Sequence, residues 1–448
     1  MAVPKENEEI RYLDVVSLYP YICKYGRFPI NEPEIVVSPD QQNWQQYEGL
    51  IQCKVVPPRR LYHPVLPFRW NNKTTFPLCR SCIMENMQES EISEYVPCAH
   101  SDDERALVGT YVSLELKKAA SLGYKVIQVF EVWHWAEEKW SQYDTQTKTG
   151  GLFTGYIDHY LKTKMESSGY PSECRTDQEK AQFIADVYQK EGISLDPAKV
   201  IYNNGMRSCS KLKLNILWGK FGQRDNFSQT EYITEPERYF DLLTDVTQSI
   251  KDVQLVNDNM VMVERLKLEE HVQPSQITNV VIAAFVTAQA RLKLYSVLEP
   301  LAERVCYFDT DSVIYVHHPD QWNPPRGNSL GEWKDELEEN VTITEFVSGG
   351  AKNYAYKLSN GQTVCKVRGF TLNYRGSKDL NFDSVKGMVG NVQQNIPLVV
   401  TNPFKITRTR DRRLCTRSED KQYKVIYTKR FIHFNDKNEP TNTYPYGF

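Results

Sequence analysis

The sequence predicts an α+β protein of several packed subdomains, and three observations carry that expectation. Its 448 residues exceed what one hydrophobic core usually serves, so roughly two to four subdomains are expected. Apolar residues make up 40% and aromatics 12%, which is too many large side chains for a mostly disordered chain. Strand-like runs bounded by Pro and Gly alternate with segments of helical period, and neither kind fills the chain.

Taken in order, RYLDVV at residues 11–16 reads as a strand that ends in a turn presenting Asp14. Residues 27–75 are rich in proline and aromatics, which predicts short strands and extended loops in a β-containing insertion. Residues 110–123 (TYVSLELKKAASLG) look like a capped helix closed by Gly123, and YKVIQVFEVWHW then reads as a strand. Residues 151–222 carry a helical period interrupted near SSGYPSE and again at Asn203–Gly205, the pattern of a helical hairpin. A further helix is expected from about Ser275 to Glu299, starting after Pro274, stopped by Pro300 and leading into the strand RVCYFDTDSVIYV. The last stretch, on the order of 80 residues, mixes short strands with basic loops.

The formal net charge of −3 by itself argues against a nucleic-acid partner, but the charge is segregated. Lys352 to Arg430 holds 17 Lys+Arg against 5 Asp+Glu, a net of +12, which leaves −15 for the rest of the chain. A solvated basic face is the plain reading. Tyr354, Tyr356, Phe370, Tyr374 and Tyr423 are interleaved with these cations, which suits a surface that tracks phosphates. The N-terminus has no basic segment followed by an apolar stretch, and no run approaches the roughly 18 apolar residues of a membrane span. An intracellular protein is therefore expected, neither secreted nor membrane-bound, with nucleus and cytoplasm undecided. Ten cysteines, including a CxxC pair, suit a reduced compartment with a metal site better than a disulfide framework.

Two acidic motifs stand out. DVVSLYP (14–20) presents Asp14 at a strand end, and FDTDS (308–312) sets Asp309 and Asp311 two apart between apolar flanks. A single Asp at a strand end is more often a cap or turn residue. Two carboxylates crowded on one strand face or at one hairpin tip, however, need a cation, and Mg²⁺ suits hard oxygen ligands that also bridge to phosphates. In RSCSKLKLNILWGKFG (207–222), Arg207, Lys211, Asn215 and Gly219 recur every four residues as one polar stripe, while Leu214, Leu217 and Phe221 line another face. Such a stripe is ordinarily only solvated, yet it could meet a triphosphate.

In that order, DxxSLYP, a KxxxNSxYG-like block at Lys211–Gly219 and DTDS resemble motifs A, B and C of family B DNA polymerases. Ile216 and Trp218 depart from the usual Ser and Tyr of the second block. AKNYAYKL follows with a KxY block, Lys352 and Tyr354. Segments such as GLFTGYIDHYLKTK, FVTAQARLKL, LGEWKDEL, KVRGF and LNFD are most similar to the protein-primed subgroup of phages, adenoviruses and Maverick/Polinton-type elements.

The resemblance implies a right-hand architecture. It has a palm of antiparallel sheet plus helices, helical-hairpin fingers and a small thumb, with insertions. The implied division is palm at 1–30, 110–150 and 273–369, fingers at 151–222, insertions at 31–109 and 223–272, and thumb with C-terminal region at 370–448.

It also implies that Asp14, Asp309 and Asp311 are catalytic, with Asp14, Asp311 and the Val15 carbonyl holding two Mg²⁺ for nucleotidyl transfer. Ser17, Leu18, Tyr19, Lys164, Arg207, Lys211, Asn215 and Trp218 would surround the incoming nucleotide, with Lys164 and Lys211 on the triphosphate and the Tyr19 ring excluding a 2′-OH. Gly219, Thr310, Ser312, Lys352, Tyr354, Lys366 and Arg368 would touch DNA. The implied partners are primer-template DNA, dNTPs, and a terminal priming protein or a separately encoded N-terminal fragment. Met1 lies 13 residues before Asp14, so no counterpart of the family's proofreading domain and no exonuclease activity are expected.

Cys79, Cys82, Cys98 and His100 spell C-x2-C-x15-C-x-H, a donor set for a tetrahedral structural Zn²⁺; ordinary half-buried thiols are the alternative. The segment falls near an insertion that, in the protein-primed subgroup, contacts the priming protein and template duplex. Two other readings of the chain stay open. One is a non-catalytic DNA-binding protein derived from a polymerase. The other is a reverse transcriptase, whose motif order and YxDD-like signature differ from YFDTDS.

Overall fold

The computed structural model describes residues 1–86, 95–409, 413–436 and 439–448. Its centre is a seven-stranded antiparallel sheet in the order Val305–Asp309, Ser312–His317, Glu9–Val15, Ile343–Gly350, Asn353–Leu358, Thr363–Val367, with the short strand Trp333–Asp335 paired to the Asp14 end of Glu9–Val15. The period of two along Glu9–Val15 explains its place: Leu13 and Val15 face a helical core, while Ile10 and Tyr12 face a second core with Ile314, Phe346 and Tyr354.

The helix Val280–Leu301 fills the first core through Phe285, Val286, Leu294 and Leu298. It starts later than the expected Ser275, because the Asn279 side chain accepts the Ile282 N–H at 3.0 Å as a cap. It also runs one residue past Pro300, whose missing N–H removes one intrahelical hydrogen bond in the turn where the helix ends. By length and mean hydropathy (1.3) this helix could cross a membrane, a property the sequence reading did not register. Here its apolar side chains are spent on the core beneath the sheet.

The segment 151–222, expected as a helical hairpin, is three helices rather than a simple pair: Thr154–Glu166, Asp177–Glu191 and Asn204–Phe221. The first and third pack together. The middle one opens with a Thr176/Glu179 capping box and closes at Gly192 (φ 72°). Asn203 caps the third helix by accepting the Met206 N–H at 3.1 Å.

A four-stranded sheet, Glu34–Val37, Lys125–His134, Gly49–Val56, Leu107–Val112, forms a separate core around Trp44, Ile51, Leu116 and Val132. The helix expected over 110–123 is shorter, Ser113–Ser121. Thr110, Tyr111 and Val112 continue the strand before it, because β-branched and aromatic residues fit the pleat opposite Leu50–Gln52. This sheet crosses the 109/110 division drawn from the sequence.

Residues 229–267 make a small three-stranded sheet with the helix Pro236–Thr244 and their own core of Ile233, Leu242 and Val263. Beyond the central sheet, the helix Phe382–Gly390 and the long hairpin Leu398–Arg408/Leu414–Tyr423 pack on Val347 and Ala355. The terminal hairpin Phe431–Phe434/Pro440–Tyr444 returns to the first insertion, where Leu78 N–H donates to Tyr446 O at 2.7 Å.

Candidate active site

Antiparallel register brings the two acidic motifs together. Asp14 lies opposite Ser312, and the Val15 N–H donates to the Asp311 carbonyl at 2.8 Å, so Asp14 and Asp311 are neighbours across one strand boundary. Asp309 closes the hairpin, its carbonyl accepting the Asp311 N–H at 2.6 Å. Three non-glycine residues of the site hold left-handed backbone: Ser17 (φ 52°), Thr310 (φ 53°) and Lys352 (φ 56°).

Burial first, and then the charges of Asp311 and Glu336, push the Asp14 carboxyl up to about 7. Asp311 is raised by burial and by Asp309. Among the described residues neither Asp14 nor Asp311 makes an ion pair. Two half-buried carboxyls that resist ionising beside each other, both hard oxygen donors, fit a divalent cation such as Mg²⁺. Asp309 differs: its carboxylate pairs with the Lys352 ammonium and accepts the Thr310 hydroxyl at 3.0 Å.

Cations face the acidic pair. Lys164 Nζ donates to Ser17 Oγ at 3.3 Å; burial and the neighbouring charges of Lys211, Arg207 and Lys334 make it easier to deprotonate than a free lysine. Arg207, Lys211, Asn215 and Gly219 are exposed along the helix Asn204–Phe221, as the four-residue spacing predicts, and Leu214, beside that stripe, is buried. The Tyr19 ring stacks on Trp218, with centroids 4.2 Å apart at 18°. The departure from the family's Tyr thus keeps an aromatic face against Tyr19.

A groove of about 450 Å³ runs from Asp309 past Lys352, Lys366, Arg368 and Phe370. Lys366 lies over the Tyr12 and Tyr354 rings, 5.5 and 5.8 Å from their centroids.

Three residues assigned to ligands from the sequence are buried in the fold. Leu18, 2% exposed, packs in the helical core, because it falls on the inward face of the helix Leu18–Tyr25. Ser312 is buried and its hydroxyl donates to Asp309 O at 3.2 Å, closing the turn. Tyr354 is largely inside the sheet core, its hydroxyl 3.2 Å from that of Tyr12, and only its edge reaches the groove.

Sequence reasoning missed Lys334, which lies opposite Asp14, and Glu336, whose charge acts on both Asp14 and Asp311. Their spacing of two on an extended segment puts them on one side, a signal available in LGEWKDEL. Lys73 and Lys429 were missed as well. Burial makes Lys429 easier to deprotonate; Asp309 opposes that effect, and Lys352, Lys73 and Arg368 add to it. No local pattern could have joined positions so far apart in the chain.

Cys79, Cys82, Cys98 and His100 converge, with all four ligand atoms within 4.8 Å of one another.

The family described as DNA polymerase type B, organellar and viral, matches residues 2–173. A "Probable DNA polymerase" of Podospora anserina is 24% identical over 374 residues, 81% of this chain and 26% of that protein. Phi29 DNA polymerase complexed with primer-template DNA matches with a TM-score of 0.54 at 16% identity, covering 94% of this chain and 59% of that one. The orthorhombic crystal form of the same polymerase gives 0.52 at 15% identity with equal coverage. The chain thus spans about a quarter of the curated relative's length and under two thirds of the solved polymerase. Residues 2–173 of this chain thus match the type B DNA polymerases of the organellar and viral group, and the chain shares the fold of Phi29 DNA polymerase.

Proposed function

We propose that the chain adds deoxynucleotides to a primer 3′-OH under template direction, in protein-primed replication of a viral or mobile element inside a cell. The observation that carries this reading is the register placing Asp14 beside Asp311, with Lys164, Lys211 and Arg207 grouped nearby. Asp14 and Asp311, with the Val15 carbonyl, are the residues to hold two Mg²⁺; bound there, the ions would acidify the primer hydroxyl and offset the charge developing at the α-phosphate. Lys164, Lys211 and Arg207 would take the triphosphate. The Tyr19 ring would border the sugar, and Trp218 the nascent base pair. Lys352, Lys366 and Arg368 would lie along the primer strand. A priming protein or a separately encoded N-terminal fragment would be the protein partner, and a structural Zn²⁺ would sit at the Cys/His cluster.

Primer extension with Mg²⁺ and dNTPs tests the reading directly. Asp311→Asn should reduce incorporation by several orders of magnitude while primer-template binding stays within a few fold. Comparable incorporation by the variant would remove the metal assignment. Failure of the unmodified protein to extend any primer that it binds would favour a non-catalytic DNA-binding role.

A further inference from the structure

We infer that a zinc ion held by Cys79, Cys82, Cys98 and His100 fastens the C-terminal hairpin to the first insertion, so that residues from the two ends of the fold act as one unit. The donor geometry comes first. With Zn–S of about 2.3 Å and Zn–N of about 2.0 Å, a tetrahedron has S···N edges of about 3.5 Å. The three Sγ···Nδ1 separations are 3.5, 3.3 and 3.7 Å for Cys79, Cys82 and Cys98.

The surroundings are those of a metal site. His100 turns its other nitrogen, Nε2, to Glu85 Oε1 at 3.2 Å, the carboxylate contact that orients a ligating imidazole. The Cys82 N–H points at Cys79 Sγ at 3.4 Å, as a donor to a thiolate would. Arg59 holds the short C-x-H arm by donating to Cys98 O at 2.9 Å and to His100 O at 2.8 Å.

The fastening follows from what leans on these ligands. Cys79 and Cys82 share a small core with Ile83, Phe431 and Tyr446, so two of its five buried residues are ligands and the other three form too small a core to hold alone. Gly447 (φ 90°) passes so close that a Cβ there would lie 2.3 Å from Cys79 Cβ. Tyr95, between Cys82 and Cys98 in the chain, donates its N–H to Ile432 O at 2.9 Å and its hydroxyl to Phe448 O at 3.3 Å. From this hairpin the chain reaches back through Arg430, which donates to Tyr62 O at 3.1 Å, to Lys429 beside Lys73, Lys352 and Arg368. Contact of Lys429 and Lys73 with the primer strand rests on the polymerase reading above; the zinc and the fastening do not.

The test uses the whole chain purified without chelator. Elemental analysis should find one zinc per chain, and removing it should raise amide exchange across 431–434 and 440–448 while the helix Asn204–Phe221 is unchanged. Glu85→Gln keeps all four ligands and should lower zinc affinity about 10- to 100-fold. Absence of stoichiometric zinc, or unaltered exchange of the hairpin after its removal, would overturn the inference. Primer-template affinity should fall a few fold on zinc removal, whereas Asp311→Asn should keep both the zinc and the exchange pattern, so failure of one reading is separable from failure of the other.

Discussion

Ser17, Thr310 and Lys352 adopt left-handed backbone without being glycine, and each belongs to a different motif of the candidate site. Such conformations cost of order 1–3 kcal/mol each and persist where surrounding structure fixes them. Here they aim carboxylates and cations at one another. Tyr19, two residues beyond Ser17, faces Trp218. Tyr19→Val should raise ribonucleotide incorporation relative to deoxyribonucleotide by on the order of tenfold, the scale of one steric contact, as read by competing extension with both. Another residue, His63, is buried with Nε2 2.8 Å from Ala302 O, and burial, then Arg430, holds its pKa down to about 4. The folded state therefore keeps His63 neutral while the unfolded chain takes up a proton below about 6.5. Stability is complete above that pH and is lost as pH falls from about 6.5 to about 4, by roughly 3 kcal/mol. His63→Leu should lose this acid-side decrement in urea unfolding compared at pH 7.5 and pH 5.

Between elements, Lys24 joins the helix Leu18–Tyr25 to the helices Thr154–Glu166 and Asp177–Glu191. Its fully buried ammonium lies 2.6 Å from Asp158 Oδ1 and donates to Glu191 O at 2.5 Å. Lys24→Met would leave Asp158 without its partner and should cost about 3–5 kcal/mol, seen as a lowered thermal midpoint. Element types were largely legible from local pattern: the strand expected over 11–16 is Glu9–Val15, the strand expected over 124–135 is Lys125–His134, and the four-residue stripe lies on the helix Asn204–Phe221. Boundaries were less legible, because caps decide them. Asn279 moved one helix start, and cross-strand pairing of Thr110–Val112 shortened another helix. Lys24 shows a second limit: a lysine in an eight-residue helix reads as solvated until its burial is known.

Across the whole molecule, the excess of cations over 352–430 should govern affinity for nucleic acid more than the net charge of −3 does. Binding of primer-template DNA should weaken steeply with salt. Replacing Lys366 and Arg368 together by alanine should flatten the log–log salt dependence by about 2, near 0.9 per phosphate contact, in titrations across ionic strength. The sequence by itself determined the chemistry available: the motif order, the acidic residues, the cationic stripe and the Cys/His donor set are all local patterns of residue type and spacing. Only the tertiary structure decided which of them meet. Strand register placed Asp14 beside Asp311, a short strand added Lys334 opposite Asp14, and the returning C-terminal hairpin set Lys429 near Asp309. Each of those pairings spans more than a hundred residues, and periodicity carries no information over that range because they depend on which faces bury together.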